Sequence, residues 1–142
     1  MSEEARIAQT LGRIGAAWNA GDAAAYAAEF TKDATYVTFS GDVLTSRTAV
    51  EDVHRRLFEG PLRASRMVGT DQTAEVTGVA QKIRFLRPGV AHVLSGGGVE
   101  LAGSAGLPAD RASVVTFVLV QDEGEWRVAA FHNTRRSPEV RS

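Results

Sequence analysis

The sequence predicts an α+β domain: N-terminal helices packed on a curved, mostly antiparallel sheet. Two patterns carry this. Apolar residues recur at helical spacing in the first 60 residues, and short apolar or alternating runs separated by turn signals fill the remainder. The third observation is size. A chain of 142 residues with 44% hydrophobic content can bury one core, and residues 1–142 contain no linker, internal repeat or low-complexity tract, so a single domain is expected. Helices first and strands last is the order of an α+β fold. A sheet curled around the first helices would make a cone-shaped barrel with a pocket at its mouth, lined by apolar side chains and a few polar groups.

Residues 3–19 place Ile7, Leu11, Ile14 and Trp18 at spacings of four, three and four, with Arg6, Gln9 and Arg13 off the stripe, which predicts an amphipathic helix. "NAGD" then supplies a glycine to end it and Asp22 to cap a second helix over "AAAYAAEF". "ATYVTF" at 34–39 reads as a strand running into a turn at "SGD". "TAVE" has capping-box spacing, with Thr48 and Glu51 in the reciprocal positions, and opens a third helix through Phe58. After "EGPL" the chain reads as sheet, in "SRMVGT", "QKIRFL", "VAHVLS", "ASVVTFVLV" and "WRVAAFHNT"; over 70–82 one bent strand or two short ones both fit. "RPGV" and "DEGE" are hairpin turns, "GSAGLPAD" is a longer loop, and "GGGVE" is a bend or bulge rather than a nucleotide-binding fingerprint, since its spacing is wrong and no helix follows.

The net charge of −1 offers no basic field for nucleic acid. With no cysteine there can be no disulfide, thiolate metal site or cysteine nucleophile. The acidic opening and the arginines that break the first helix's apolar face do not resemble a signal peptide, and no run approaches the roughly 20 apolar residues of a membrane span. A cytoplasmic protein without nucleic-acid or membrane partners is the expectation.

"WNAGDAAAYAAEFTKDATYV", "HRRLFEGPLRASR", "IRFLRPGVAHV" and "WRVAAFHNTR" resemble the SgcJ/EcaC family of the nuclear-transport-factor-2-like (NTF2-like) superfamily, which includes the SnoaL-type cyclases and ketosteroid isomerases. The likeness spans about residues 5–136. It implies a cone-shaped α+β barrel, a homodimer formed through the sheet's outer face, no metal and no organic cofactor. It also implies a place in antibiotic biosynthesis of the enediyne type, with an apolar polyketide-like ligand and a polyketide synthase as partner.

Three histidines could in principle hold zinc, but none lies at i, i+3 or i+4 from another ligand, so only convergence in space would make a site. His92 reads as a strand residue hydrogen-bonded in or near the core. His54 shares a helix face with Leu57 and Phe58, the face that meets the sheet. Strict alternation in the last strand puts Trp126, Val128, Ala130, His132 and Thr134 on one face and Arg127, Ala129, Phe131, Asn133 and Arg135 on the other. Both faces carry small apolar residues, so the pattern does not choose between them. Either the polar run simply ends the strand in solvent, or it forms the polar end of an apolar pocket.

In the pocket reading His54 and His132 supply acid/base chemistry, and Asn133 and Arg135 orient substrate or steady an oxyanion. Trp18, Tyr36 and Phe117 line the cavity. Asp33 and Glu100 are carboxylates of the right class for a base, but they read as a turn residue and an exposed residue and receive no role. The expected function is cofactor-independent cyclisation, isomerisation or release of a polyketide or polyene intermediate. The alternative is a non-catalytic dimeric module that protects an intermediate or docks on a synthase.

Overall fold

The computed structural model describes residues 1–69, 74 and 77–136. Helix α1 (Glu3–Asn19) starts at Ser2, whose side chain accepts from the Ala5 N–H, and buries Ile7, Thr10, Ile14, Ala17 and Trp18. It ends where the Asp22 N–H reaches the Ala17 carbonyl and the Gly21 N–H that of Trp18, a Schellman closure that requires the left-handed backbone of Gly21, φ +66°. Asp22 caps α2 (Ala23–Ala28) through the Ala25 N–H, as the sequence indicates. The helix stops short of Phe30, which already belongs to strand β1 (Phe30–Val37).

That strand therefore begins four residues earlier than the 34–39 reading and ends at Val37, where Thr38 and Asp42 close the turn to β2 (Val43–Leu44). Helix α3 (Arg47–Glu59) is capped by Ser46, whose side chain takes the Ala49 N–H, so the Thr48/Glu51 box is not the helix start. Serine caps as well as threonine, and capping-box spacing alone could not choose between two hydroxyl residues two positions apart.

The strands that follow are β3 (Arg66–Met67), β4 (Lys82–Arg87), β5 (Val90–Gly97), β6 (Val99–Glu100), β7 (Ser113–Asp122) and β8 (Glu125–Arg135). Of the 70–82 stretch, residues 70–73, 75 and 76 lie outside the described residues. Ala74 and Thr77 are helical, and strand structure begins only at Lys82. Six strands form one sheet in the order β2-β1-β8-β7-β5-β4, antiparallel except for the β1–β8 pair, and β3 and β6 form a second, two-stranded sheet. The β7–β8 hairpin turns through Glu123 and Gly124, both with positive φ, the backbone of a tight two-residue turn matched to strand twist.

The helices cover the concave face of the curved sheet. At one end of the cone, Glu3 accepts from the indole N–H of Trp126 at 2.7 Å and from Gln121 at 2.8 Å, while the Thr10 hydroxyl donates to the Trp126 carbonyl at 3.0 Å. Toward the other end, β5 breaks at Gly98, and β6 turns off to pair with β3 beside α1, where Asn19 accepts from the Met67 N–H. The glycine run is thus the bend that lets one strand serve two sheets. It is also tight: a Cβ on Gly97 would lie 2.9 Å from Val115 Cγ1. Val115 is β-branched and packed, so it cannot swing clear. Gly97→Ala is expected to destabilise the fold by about 1–3 kcal/mol, read as a lower urea midpoint at unchanged slope. Among the described residues no helix is long and apolar enough to cross a membrane.

One irregularity decides what faces the cone. Across β7–β8, Val118 pairs with Ala130 but Leu119 pairs with Val128, so Ala129 is an extra residue, a β-bulge. Trp126 and Val128 point into the core on one side of the bulge, and Phe131 does so on the other. The strict alternation over 126–135 is therefore corrected. Phe131, Asn133 and Arg135 share the inner face with Trp126 and Val128, and His132 and Thr134 face out.

Candidate functional site

Three helices and the sheet bring an aromatic cluster to the interior of the cone. Trp18 comes from α1, Tyr26 from α2, His54 and Phe58 from α3 at helical spacing, and Tyr36 and Phe131 from neighbouring strands. Ring centroids of Trp18 and Phe58 lie 5.0 Å apart, Tyr26 and His54 4.5 Å, Tyr36 and Phe131 4.4 Å, and Phe131 and Phe117 5.1 Å. The edge-on and tilted arrangements are those aromatic quadrupoles favour. The indole N–H of Trp18 is satisfied by Ser65 at 3.0 Å.

His54 is buried in this cluster, 2% exposed, and its hydrogen bonds fix its tautomer. Nδ1 lies 2.7 Å from the Val50 carbonyl, one turn back on α3. A carbonyl only accepts, so Nδ1 carries the hydrogen and Nε2 is the acceptor, taking the Tyr36 hydroxyl hydrogen at 3.1 Å. The Tyr36 oxygen in turn accepts from Tyr26 at 2.9 Å. The result is a one-way chain from Tyr26 through Tyr36 to His54. Burial pushes the imidazole down to about 4, partly opposed by the bond to Val50, so it is neutral at pH 7. Burial likewise raises both tyrosines well above their ordinary range; the proximity of Tyr36 adds to this for Tyr26, whereas the bond from Tyr26 tempers it for Tyr36.

Beyond Phe131 the inner face of β8 turns polar. Asn133 sits opposite Val115, and Arg135 opposite Ser113. Asn133 Oδ1 and Arg135 Nε are both buried without a hydrogen-bond partner. Buried polar atoms are nearly always paired, and leaving one unmade costs about 1–3 kcal/mol. The Arg135 guanidinium carbon rests 3.7 Å from the centroid of the Phe39 ring, a cation–π contact, and Phe39 itself is 51% exposed. Burial holds the Arg135 pKa below its usual range, the charge of Arg111 lowers it further, and Asp110 works the other way. Arg111 stands at the end of the 103–110 loop, with its Nε donating to the Val99 carbonyl at 3.2 Å. Neither arginine enters an ion pair among the described residues.

The structure places Trp18, Tyr36 and His54 together in the aromatic cluster, and Phe117, Asn133 and Arg135 on the inner sheet face that continues from it. His132 is elsewhere. It is exposed on the outer face, between Thr116 of β7 and Val37 of β1, so the two histidines proposed as an acid/base pair lie on opposite sides of the sheet. His92 is half-buried on that same outer face, across from Arg84 and Val118. The three histidines do not converge. Asp33 is exposed and accepts from Thr31, and Glu100 pairs across from Arg66, both away from the cluster. Tyr26, Phe131, Phe39 and Arg111 belong to the site but were not singled out for it by the sequence. Tyr26, Phe131 and Phe39 stand out in the sequence only as aromatic residues, and nothing local marks Arg111.

The sequence model of the SnoaL-like domain matches residues 1–132. No curated protein matches the chain. Among solved structures, a Nostoc punctiforme domain of unknown function with a cystatin-like fold superposes with a TM-score of 0.82 at 25% identity, covering 96% of this chain and 79% of that one. The protein Aln2 from a Streptomyces species gives 0.76 at 20% identity, covering 95% and 93%. A Xanthomonas campestris protein named for the calcium/calmodulin dependent protein kinase II association domain gives 0.75 at 19%, covering 99% and 91%.

Proposed function

The chain belongs to the SnoaL-like domain family, and from that premise we propose that it binds an apolar, oxygenated small molecule of the polyketide or polyene class inside the cone and promotes its cyclisation, isomerisation or release without a cofactor. The observation that carries this reading is the pair of buried, unpartnered polar atoms, Asn133 Oδ1 and Arg135 Nε, where the inner sheet face runs out of the aromatic core. A donor and an acceptor buried together without partners are what an oxygenated ligand group completes.

In this reading Asn133 and Arg135 orient the ligand's oxygens and stabilise negative charge that develops on an enolate, and Trp18, Tyr36 and Phe117 are the apolar wall. His54 acts as a positioning residue through Tyr36. As a neutral acceptor it holds the Tyr36 hydroxyl hydrogen away from the ligand side, leaving a Tyr36 lone pair to Tyr26. Acid/base work at His132 would require a substrate on the outer sheet face, and the inner chain, with each hydrogen committed to the next member, orders Tyr36 rather than exchanging a proton with the ligand. An enediyne-type intermediate fits the proposed class, with a synthase as the source.

Native mass spectrometry of the protein isolated from cells that co-produce a polyketide synthase tests the reading. A bound apolar mass in the wild type, reduced about tenfold or more in Asn133→Leu and Arg135→Gln at unchanged stability, is the expected result. Equal retention by wild type and both variants would remove the site.

A second reading has its own observation. The outer face of the sheet presents Leu94, Val114, Val118 and Val120, half-buried and covered by no described helix. Such a face suits a homodimer and a non-catalytic module that docks on a synthase or shelters its product. Association that survives substitution of His54 and Arg135 but is lost in Val118→Lys would favour it.

A further inference from the structure

Resting on the cone as the binding site, we propose that its occupant is a hydroxy acid: a carboxylate held at Arg135 and Arg111, a hydroxyl or enol on carbon 3 donating to Asn133, and an apolar chain running inward over Val115, Phe117 and Phe131. Three features of the polar end select these groups. First, Arg135 Nε is a buried donor with nothing to donate to, and the guanidinium is propped on Phe39 rather than on an acid. Second, the pairing of β7 with β8 brings Arg111 beside Arg135: Ser113 stands opposite Arg135, and the Arg136 N–H reaches the Ala112 carbonyl at 2.9 Å. Among the described residues no carboxylate stands within ion-pair distance of either arginine. Like charges brought together repel, and a ligand anion between them offsets the repulsion while gaining charge-assisted hydrogen bonds.

Third, Asn133 Oδ1 accepts only, so an unsubstituted carboxylate cannot satisfy it. A hydroxyl beside the carboxylate can. Asn133 and Arg135 are two residues apart on one strand face, about 7 Å between Cα atoms. Oxygens separated by three carbons fit this pair, with the hydroxyl on the inner side and the acid toward Arg111. Inward of Asn133 the face carries Val115, Phe117 and Phe131, with Val93 and Ser95 of β5 beside them; the Ser95 hydroxyl is committed to the Gly96 carbonyl, so among these nothing is offered to a second charge. A free 3-hydroxy or enolised 3-oxo acid is what hydrolysis of a carrier-bound acyl thioester yields, so a hydrolytic release step is the class of reaction that would supply the ligand.

The test is a calorimetric titration of the full chain with 3-hydroxydecanoate, decanoate and methyl 3-hydroxydecanoate at low salt. The expected order is the hydroxy acid first, the plain acid about tenfold weaker, and the neutral ester weaker by about tenfold or more than the hydroxy acid. Arg135→Gln should abolish the acid-over-ester preference and Asn133→Leu the hydroxy-over-plain preference, while added salt should narrow the first and leave the second. Equal binding of acid and ester by the wild type would overturn the hydroxy-acid assignment and leave cone binding standing. Absence of binding by all three, with a bound mass still recovered from producing cells, would overturn the assignment by itself; absence of both would remove the cone as a site. The wild-type comparison decides the matter even if a variant fails to fold.

Discussion

Between pH 7 and pH 4 the wild-type chain is expected to lose about 3 kcal/mol of stability through His54 alone. The imidazole titrates near 4 in the fold and at about 6.5 in an unfolded chain. Over that interval the unfolded state binds a proton that the folded state refuses, so stability falls as pH falls and levels off below about 4. The cause is visible: the ring is buried among Trp18, Tyr26, Tyr36 and Phe58, its Nδ1–H is committed to Val50, and protonating Nε2 would set an N–H against the Tyr36 hydroxyl that now donates to it. Surface carboxylates also titrate in this range, so the comparison is with His54→Gln, which keeps an acceptor and cannot ionise. Urea unfolding at pH 7, 5.5 and 4 should find the variant less stable at pH 7 and the gap closing by about 3 kcal/mol at pH 4. Parallel profiles would mean that His54 does not resist protonation.

Deleting His132 is expected to cost the protein either its candidate site or its core, although the residue is exposed on the outer face. A shift of one residue moves side chains to the opposite face of the sheet. If the hairpin half of β8 holds, with Phe131 opposite Phe117, then Asn133 and Arg135 turn outward, Thr134 takes the inner position opposite Val115, and ligand binding should vanish. If the far half holds, with Asn133 opposite Val115, the bulge is drawn straight, Ala130 falls opposite Phe117 and Phe131 leaves the core, at about 3–5 kcal/mol and with loss of near-ultraviolet aromatic circular dichroism. His132→Ala, which keeps the residue count, should stay within about 0.5 kcal/mol of the wild type. Deleting Ala129 removes only the extra residue: Val128 stays opposite Leu119, Ala130 opposite Val118 and Phe131 opposite Phe117, so the inner face and ligand binding should persist. A His132 deletion with wild-type stability and binding would show that strand alternation does not set the inner face.

These two sites mark the limit of what the sequence makes legible. Features written within a few residues are plain in it. The stripe from Ile7 to Trp18, the glycine and aspartate at the α1–α2 corner, the turn at 122–125 and the segregation of helices from strands each depend on neighbours in the chain, because helix caps, tight turns and helical periodicity are local physics. The aromatic wealth of the interior and the polar end of the last strand are legible as composition. The cap of α3 is the local exception, where two hydroxyls compete for one role.

The inner face of β8 is not local. Its alternation is interrupted by a bulge that exists because of how β7 and β1 pair with it, and β1 runs parallel to β8 with a register break of its own between Phe30 and Thr35. His54 meets Tyr36 across 18 positions and from a different element, and its depressed basicity follows from burial, which a sequence does not display. Arg111 reaches the neighbourhood of Arg135 because the start of β7 pairs with the end of β8, Ser113 against Arg135. By itself, then, the sequence determined the three helices and the long strands of the second half, though not the helical residues at 74 and 77, the start of β1 or the short strands β2 and β6, and that aromatic residues and a polar strand end would be present. The tertiary structure alone decided which of Phe131, His132, Asn133 and Arg135 face that interior, since strand register is set by partners distant in the chain.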